Sequence, residues 1–313
     1  MTLDDHSKRF LESFGPEGAP RHERGTVEEA RAESVAISST ITSAIGRVDE
    51  QIAATAAGDV PVRIHVPTAG EPPFPVLVWI HGGGWVLGSA AQADPTCRSL
   101  CDRAGAIVVC PEYRLAPEHR FPVAAEDSYA VTEWVARNAA SFGGDPARLA
   151  VGGDSAGGNL AAATALMARD RGGPAIVFQL LIYPVVGLPS DGRSSYDEFA
   201  EGHFLTRAAM EWFTDLYASS PEDTENPLFA PLRAPSLAGL PPGLVITAEC
   251  DPLRDEGEEY ARRLRADGVD CPVERYDGQL HGFFGLTDDL PMGFEAQALA
   301  AEALRQAFAL RDR

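Results

Sequence analysis

From Val60 onward the chain alternates two kinds of segment, and no other feature limits its fold so strongly. Short β-rich runs occur at 60–66 (VPVRIHV), 74–80 (FPVLVWI), 106–110 (AIVVC), 149–153 (LAVGG), 175–186 (AIVFQLLIYPVV) and 243–249 (GLVITAE). Between most of them lie longer stretches with apolar residues three and four apart, such as Val131, Trp134 and Val135 in EDSYAVTEWVARNAASF. Residues 159–170 are rich in alanine and suit a helix packed closely on a sheet. A near-continuously apolar strand has no face to offer water, so helices must cover both sides of the sheet it joins. The pattern predicts an α/β fold around a mostly parallel central sheet. The early hairpin-like segments would add antiparallel strands at one edge, and a helix from about Phe294 to Leu310 would close the fold.

Two regions break the alternation. Residues 1–48 hold two helix-like pieces joined by GPEGAPRHERG, with no strand between them. Residues 187–228 begin with GLPSDGRSS and contain the helix-like RAAMEWFTDLYA, where an ordinary crossover would suffice. An insertion of this size is usually functional. The two pieces are expected to form a helical cap over a core made of residues 49–186 and 229–313.

The 313 residues, 45% of them hydrophobic, are enough for a substantial core. A net charge of −20 makes nucleic acid and anionic membrane surfaces unfavourable partners. No stretch approaches the roughly 20 apolar residues that span a bilayer. The N-terminal MTLDDHSKRFLESFG lacks the basic-then-apolar pattern of a secretory signal, so a cytoplasmic location is expected. Five cysteines without a CxxC pair do not read as a disulfide framework or a metal site.

The chemistry gathers at strand ends. Gly153-Asp154-Ser155-Ala156-Gly157 fits G-x-S-x-G between a strand and a helix, the sharp turn that lifts a serine oxygen above a sheet. A Gly-rich turn could instead hold phosphate, but there is no GxxxxGK[ST] pattern. A serine hydroxyl needs a base to become a nucleophile. Of the seven histidines, His281 follows the strand-like VERYD and precedes Gly282; His81 is the nearest rival, since it too ends a strand. A base of this kind is held by an acid. Asp251 is the first residue after the run GLVITAEC, while Asp255 and Glu256 are rivals with an ordinary place in a first helical turn. The order serine, acid, histidine is that of α/β-hydrolases. Finally, WIHGGGW puts Gly82, Gly83 and Gly84 at another strand end, where two of their N–H groups, with that of Ala156, could hold an oxyanion.

The motifs HGGGW (81–85), YRLAPEHRFP (113–122), GDSAGGNLA (153–161), DPLRDEG (251–257) and HGF (281–283) together resemble the bacterial hormone-sensitive-lipase-like family of α/β-hydrolases, in its GDSAG subgroup. The resemblance implies a carboxylesterase with Ser155 as nucleophile, Asp251 as acid, His281 as base and an oxyanion hole from the glycines and Ala156. It further implies soluble esters of short-to-medium acyl chain as substrates, no metal or organic cofactor, and a homodimer paired through a sheet edge. Trp85, Phe204, Leu205, Phe283 and Phe284 are candidates for an apolar substrate pocket. A natural-product deacetylase or amidase, and a non-catalytic small-molecule receptor of the same fold, are the alternatives.

Overall fold

The computed structural model describes residues 2–15, 18–40 and 42–310; Met1, Pro16, Glu17 and Ile41 of the expected N-terminal cap segment lie outside them. Eight strands form one sheet: β1 (Arg47–Thr55), β2 (Gly58–Val66), β3 (Phe74–Ile80), β4 (Ile107–Pro111), β5 (Gly144–Asp154), β6 (Phe178–Ile182), β7 (Gly243–Cys250) and β8 (Val273–Leu280), in the order β1-β2-β4-β3-β5-β6-β7-β8. The pairs β1–β2 and β2–β4 are antiparallel, and all others are parallel. The sheet is thus mostly parallel, with its antiparallel strands at one edge.

Along β3 the side chains divide strictly. Val76, Val78 and Ile80 enter one core, and Leu77 and Trp79 enter the other. Helices cover both faces, as the unbroken apolar runs require. The first core packs under α4 (Val123–Asn138), α5 (Ala156–Arg171) and α8 (Arg254–Ala266); the second packs under α3 (Asp94–Ala104) and α9 (Met292–Ala309). Helix α5 is buried continuously from Ala156 to Ala168, because its alanines and glycines let it lie close to the strands. All five cysteines are buried and free.

Two strand expectations need correction. The run 175–186 yields only the five residues of β6. Tyr183 turns to φ 33° and Pro184 has no N–H to give a ladder, so the chain leaves the sheet. Conversely, 149–153 extends backwards to Gly144.

The chain leaves β3 toward β4 on one side and returns to β5 on the other. That reversal opens a crevice at the carboxyl ends of β3 and β5, where α/β sheets bind ligands. The N-terminal α1 (Asp5–Ser13) and α2 (Val27–Ile37), with α6 (Ser194–Glu198) and α7 (Arg207–Tyr217) of the insertion, fall outside the alternating pattern. Residues of α2 and α7 line the cavity that contains Ser155. Among the described residues, no helix is long and apolar enough to cross a membrane.

Candidate active site

Ser155 sits between β5 and α5 at φ 56° and ψ −120°, a left-handed conformation that is costly for a side chain with Cβ. Neighbouring backbone fixes it: its N–H donates to Ile182 O at 2.9 Å, and its carbonyl accepts the Val185 N–H at 3.2 Å. The turn is only possible with glycine on either side. A Cβ on Gly153 would collide with Gly157 O and Ile80 O, and one on Gly157 with Ile80 O.

Three segments converge here. His281 Nε2 lies 2.9 Å from Ser155 Oγ, and its Nδ1 lies 2.7 Å from Asp251 Oδ2. The network assigns the tautomer: Nδ1–H donates to the carboxylate, and Nε2 accepts from the serine hydroxyl. Asp251 is fully buried and its Oδ1 accepts the Leu253 N–H at 2.8 Å, so both oxygens are occupied. The Tyr183 ring packs against the imidazole, centroids 4.5 Å apart. The serine and histidine retain 8% and 7% exposure, enough to meet a ligand but little bulk water.

The rival residues are engaged elsewhere. Asp255 accepts from Ser194 Oγ and the Ser195 N–H, both at 2.9 Å. Glu256 Oε1 accepts the Val186 and Gly187 N–H groups at the root of the insertion, and burial pushes its carboxyl up to about 7. His81 Nδ1 donates to Gly82 O at 2.8 Å, and its ring stacks on Tyr113 with centroids 4.3 Å apart. Burial pushes its imidazole down to about 4.

The glycine loop is sorted by its neighbours. The Gly82 N–H donates to Asp154 Oδ1 at 3.2 Å, so it is committed. Gly83 and Gly84 carry φ of 115° and 59° and border the cavity with Ser155. A Cβ on Gly83 would strike Leu87 O. The Ala156 N–H opens α5, where no intrahelical acceptor exists for it. Gly83, Gly84 and Ala156 are therefore the amides left to hold an anion next to Ser155, at the positive end of the helix.

The cavity above them measures about 240 Å³. Phe204, Leu205 and Phe284 line it, whereas Trp85 and Phe283 do not. Trp85 is wholly buried, stacked on Tyr217 with centroids 4.5 Å apart and donating to Asn159 Oδ1 at 3.3 Å. Phe283 points into the second core against Tyr276 and Tyr183. Sequence reasoning missed Asp154, Tyr183, Met210, Phe213, Ser34 of α2 and Ser38 just after it, all of which line the cavity. Asp154 could have been suspected, since it lies inside the serine motif; nothing in the order of residues brings α2 to this place. Burial pushes the Asp154 carboxyl up to about 6, against the opposing pull of His281 and the Gly82 N–H.

Known proteins resemble this chain in sequence and in fold. A family model described as the α/β hydrolase fold matches residues 77–285. The chain is 42% identical over 252 residues to carboxylesterase NlhH of Mycobacterium tuberculosis, covering 80% of this chain and 79% of that one. It is 37% identical over 249 residues to an ethyl acetate hydrolase of Pseudomonas putida, covering 79% and 78%. Among solved structures, a hyperthermophilic esterase from the archaeon Pyrobaculum calidifontis superposes with a TM-score of 0.91 at 40% identity, over 98% of this chain and 99% of that one. With its mostly parallel sheet, its serine turn after β5 and these relatives, the chain belongs to the α/β-hydrolase family, in its hormone-sensitive-lipase-like branch of carboxylesterases.

Proposed function

We propose that the protein is a serine carboxylesterase acting on short-to-medium acyl esters through an acyl-enzyme, without metal or organic cofactor. The observation that carries this reading is the hydrogen-bonded chain Ser155–His281–Asp251, at 2.9 and 2.7 Å, beside unspent backbone N–H groups. Relatives named carboxylesterase, esterase and ethyl acetate hydrolase support it.

Ser155 Oγ attacks the ester carbonyl carbon while its proton passes to His281 Nε2. The carbonyl oxygen becomes an anion held by the N–H groups of Gly83, Gly84 and Ala156. Asp251 keeps Nδ1 protonated and stabilises the imidazolium that forms. The intermediate collapses with cleavage of the bond to the alcohol oxygen, which takes the proton from Nε2. Water then attacks the acyl-serine, gives a proton to Nε2, and the acid departs as Ser155 regains its hydrogen. Gly82 is a support in this scheme, since its amide is spent on Asp154.

Residues 1–48 and 187–228 serve as the cap that keeps water from the acyl-enzyme and limits acyl length. The N-terminal part is latched at Arg31, whose Nε donates to Val86 O at 3.0 Å and whose two terminal nitrogens grip the Glu118 carboxylate at 2.8 Å each. Pairing of two copies along the open edge at β8 fits the same reading and is checked by light scattering. A cytoplasmic setting suits the five buried free thiols. The deciding experiment is Ser155→Ala assayed with p-nitrophenyl butyrate. Turnover should fall by about 10⁴-fold or more with the fold retained; activity at the parental rate would refute the nucleophile assignment.

A further inference from the structure

The cavity over Ser155 has two chemically unlike sets of lining groups. Leu205, Met210 and Phe213, from α7 and the segment before it, make one set apolar. The other is a bonded polar array. Gln92 Nε2 donates to Ser34 Oγ and Ser38 Oγ, each at 3.1 Å, and Ser89 Oγ donates to Gln92 Oε1 at 3.3 Å. Both ends of the Gln92 amide are thereby fixed, and the Ser34 hydroxyl hydrogen is left for a ligand.

Three buried groups extend this polar character. Trp79 is 0% exposed and its Nε1–H finds no acceptor among the described residues, although the residue borders the cavity. His81 is 3% exposed; with Nδ1–H spent on Gly82 O, its Nε2 is a lone-pair acceptor that has no donor among the described residues. Thr96, on α3, also borders the cavity. Buried donors and acceptors left dry are costly and are retained where a ligand satisfies them. Among the described residues neither lysine nor arginine borders the cavity, so no permanent cation there pairs with an anionic substrate.

Resting on the esterase reading, we infer that the site favours esters carrying a second, neutral oxygen that accepts hydrogen bonds — ether, ketone or hydroxyl — over plain alkyl esters. Such an oxygen meets the N–H of Trp79 or the hydroxyls of Thr96 and Ser34, and a hydroxyl can also donate to His81 Nε2. An alkyl chain in the same place leaves them all unpaired. A site built to bond an oxygen rejects the analogue lacking it far more strongly than an apolar pocket rejects an extra one.

The test compares chains of equal length. For the acyl side, p-nitrophenyl 4-methoxybutyrate is set against p-nitrophenyl hexanoate; for the alcohol side, 3-methoxypropyl butyrate is set against pentyl butyrate. In at least one pair kcat/KM should favour the ether by about tenfold or more, and the arm that responds tells which half of the ester carries the oxygen. Trp79→Phe, which keeps a ring against Phe284, and Thr96→Val, which keeps the shape, should each shrink that ratio. Calorimetry with Ser155→Ala should show the same order of binding without turnover. Ratios near one in both pairs, or a preference untouched by both variants, would overturn the inference. Tighter binding of the ethers by Ser155→Ala alongside no hydrolysis by the parent would keep this inference and remove the esterase reading.

Discussion

His81 and His281 both follow a strand and precede a glycine, yet their surroundings differ completely. The His281 ring lies between a carboxylate and a serine oxygen, at 2.7 and 2.9 Å. The His81 ring donates to the carbonyl of the next residue and stacks on Tyr113. An aspartate stands near each loop, but it is used differently. Asp251 takes the imidazole of one, whereas Asp154 takes the Gly82 amide of the other. A carboxylate can stabilise an imidazolium; a carbonyl dipole inside an apolar core does so far less, which is why burial holds His81 neutral to about 4. The same dipeptide thus links a carboxylate to a serine in one place and shapes a loop in the other. The N-terminal segment ties both loops down, through Arg31 to Val86 O and through Ser39 and Thr40 to Asp288.

The largest expected effect breaks the contrast at its source. Asp251→Asn removes the charge that distinguishes the two histidines, and kcat should fall by about 10⁴-fold. A loss below tenfold, measured with p-nitrophenyl butyrate, would mean that the carboxylate is not what separates them.

Gly83→Ala acts on the other loop. Its Cβ would run into Leu87 O, displacing an amide proposed to hold the oxyanion. Loss of one such donor is worth about 2.7–4 kcal/mol of barrier, or about 10²–10³ in kcat. If kcat holds and only KM rises, the loop shapes the pocket without stabilising charge.

Asp154→Asn sharpens the comparison through pH. Burial pushes the native carboxyl up to about 6, above the ordinary 3.8, so the fold disfavours its ionised form. The parent therefore loses stability relative to the variant as pH rises from about 4 to above 6, while Asn can still accept the Gly82 N–H. The variant's advantage should be small at pH 4 and reach about 1–2 kcal/mol at pH 8, once discounted for partial exposure. Thermal unfolding at both pH values reads it; an advantage greatest at pH 4 would contradict the assignment.

The smallest effect concerns the cap. Arg31→Leu removes a half-exposed ion pair and two carbonyl contacts, and should cost about 1 kcal/mol or less with KM raised a fewfold. A collapse of kcat instead would show that the latch sets the geometry of the loop after β3.

Much of this site was legible because its chemistry sits at strand ends, and strand ends can be read from periodicity. Ser155 and Asp251 each follow an apolar run and His281 follows a strand-like one, so a parallel sheet must deliver them to the same end of its strands. The glycines were legible as a group but not individually. Gly82 differs from Gly83 only because its N–H meets a carboxylate 72 residues away. Trp85 and Phe283 were misjudged as pocket residues because hydrophobicity says that a ring will be buried, not which core will receive it. The overlong strand at 175–186 had the same origin: an apolar run marks burial, while Pro184 and the turn at Tyr183 end the ladder.

By itself the sequence determined which segments become strands and helices, because side-chain period and backbone preference act between near neighbours. It also determined the kind of chemistry, because few residue types can supply a nucleophile, a base and its orienting acid. Tertiary structure alone decided which amides are left free beside Ser155, which rings line the cavity, and that a hydroxyl from α2 joins it. Those outcomes depend on hydrogen bonds and contacts between groups far apart in the chain, and their partners are chosen only when the sheet closes and the helices settle over its ends.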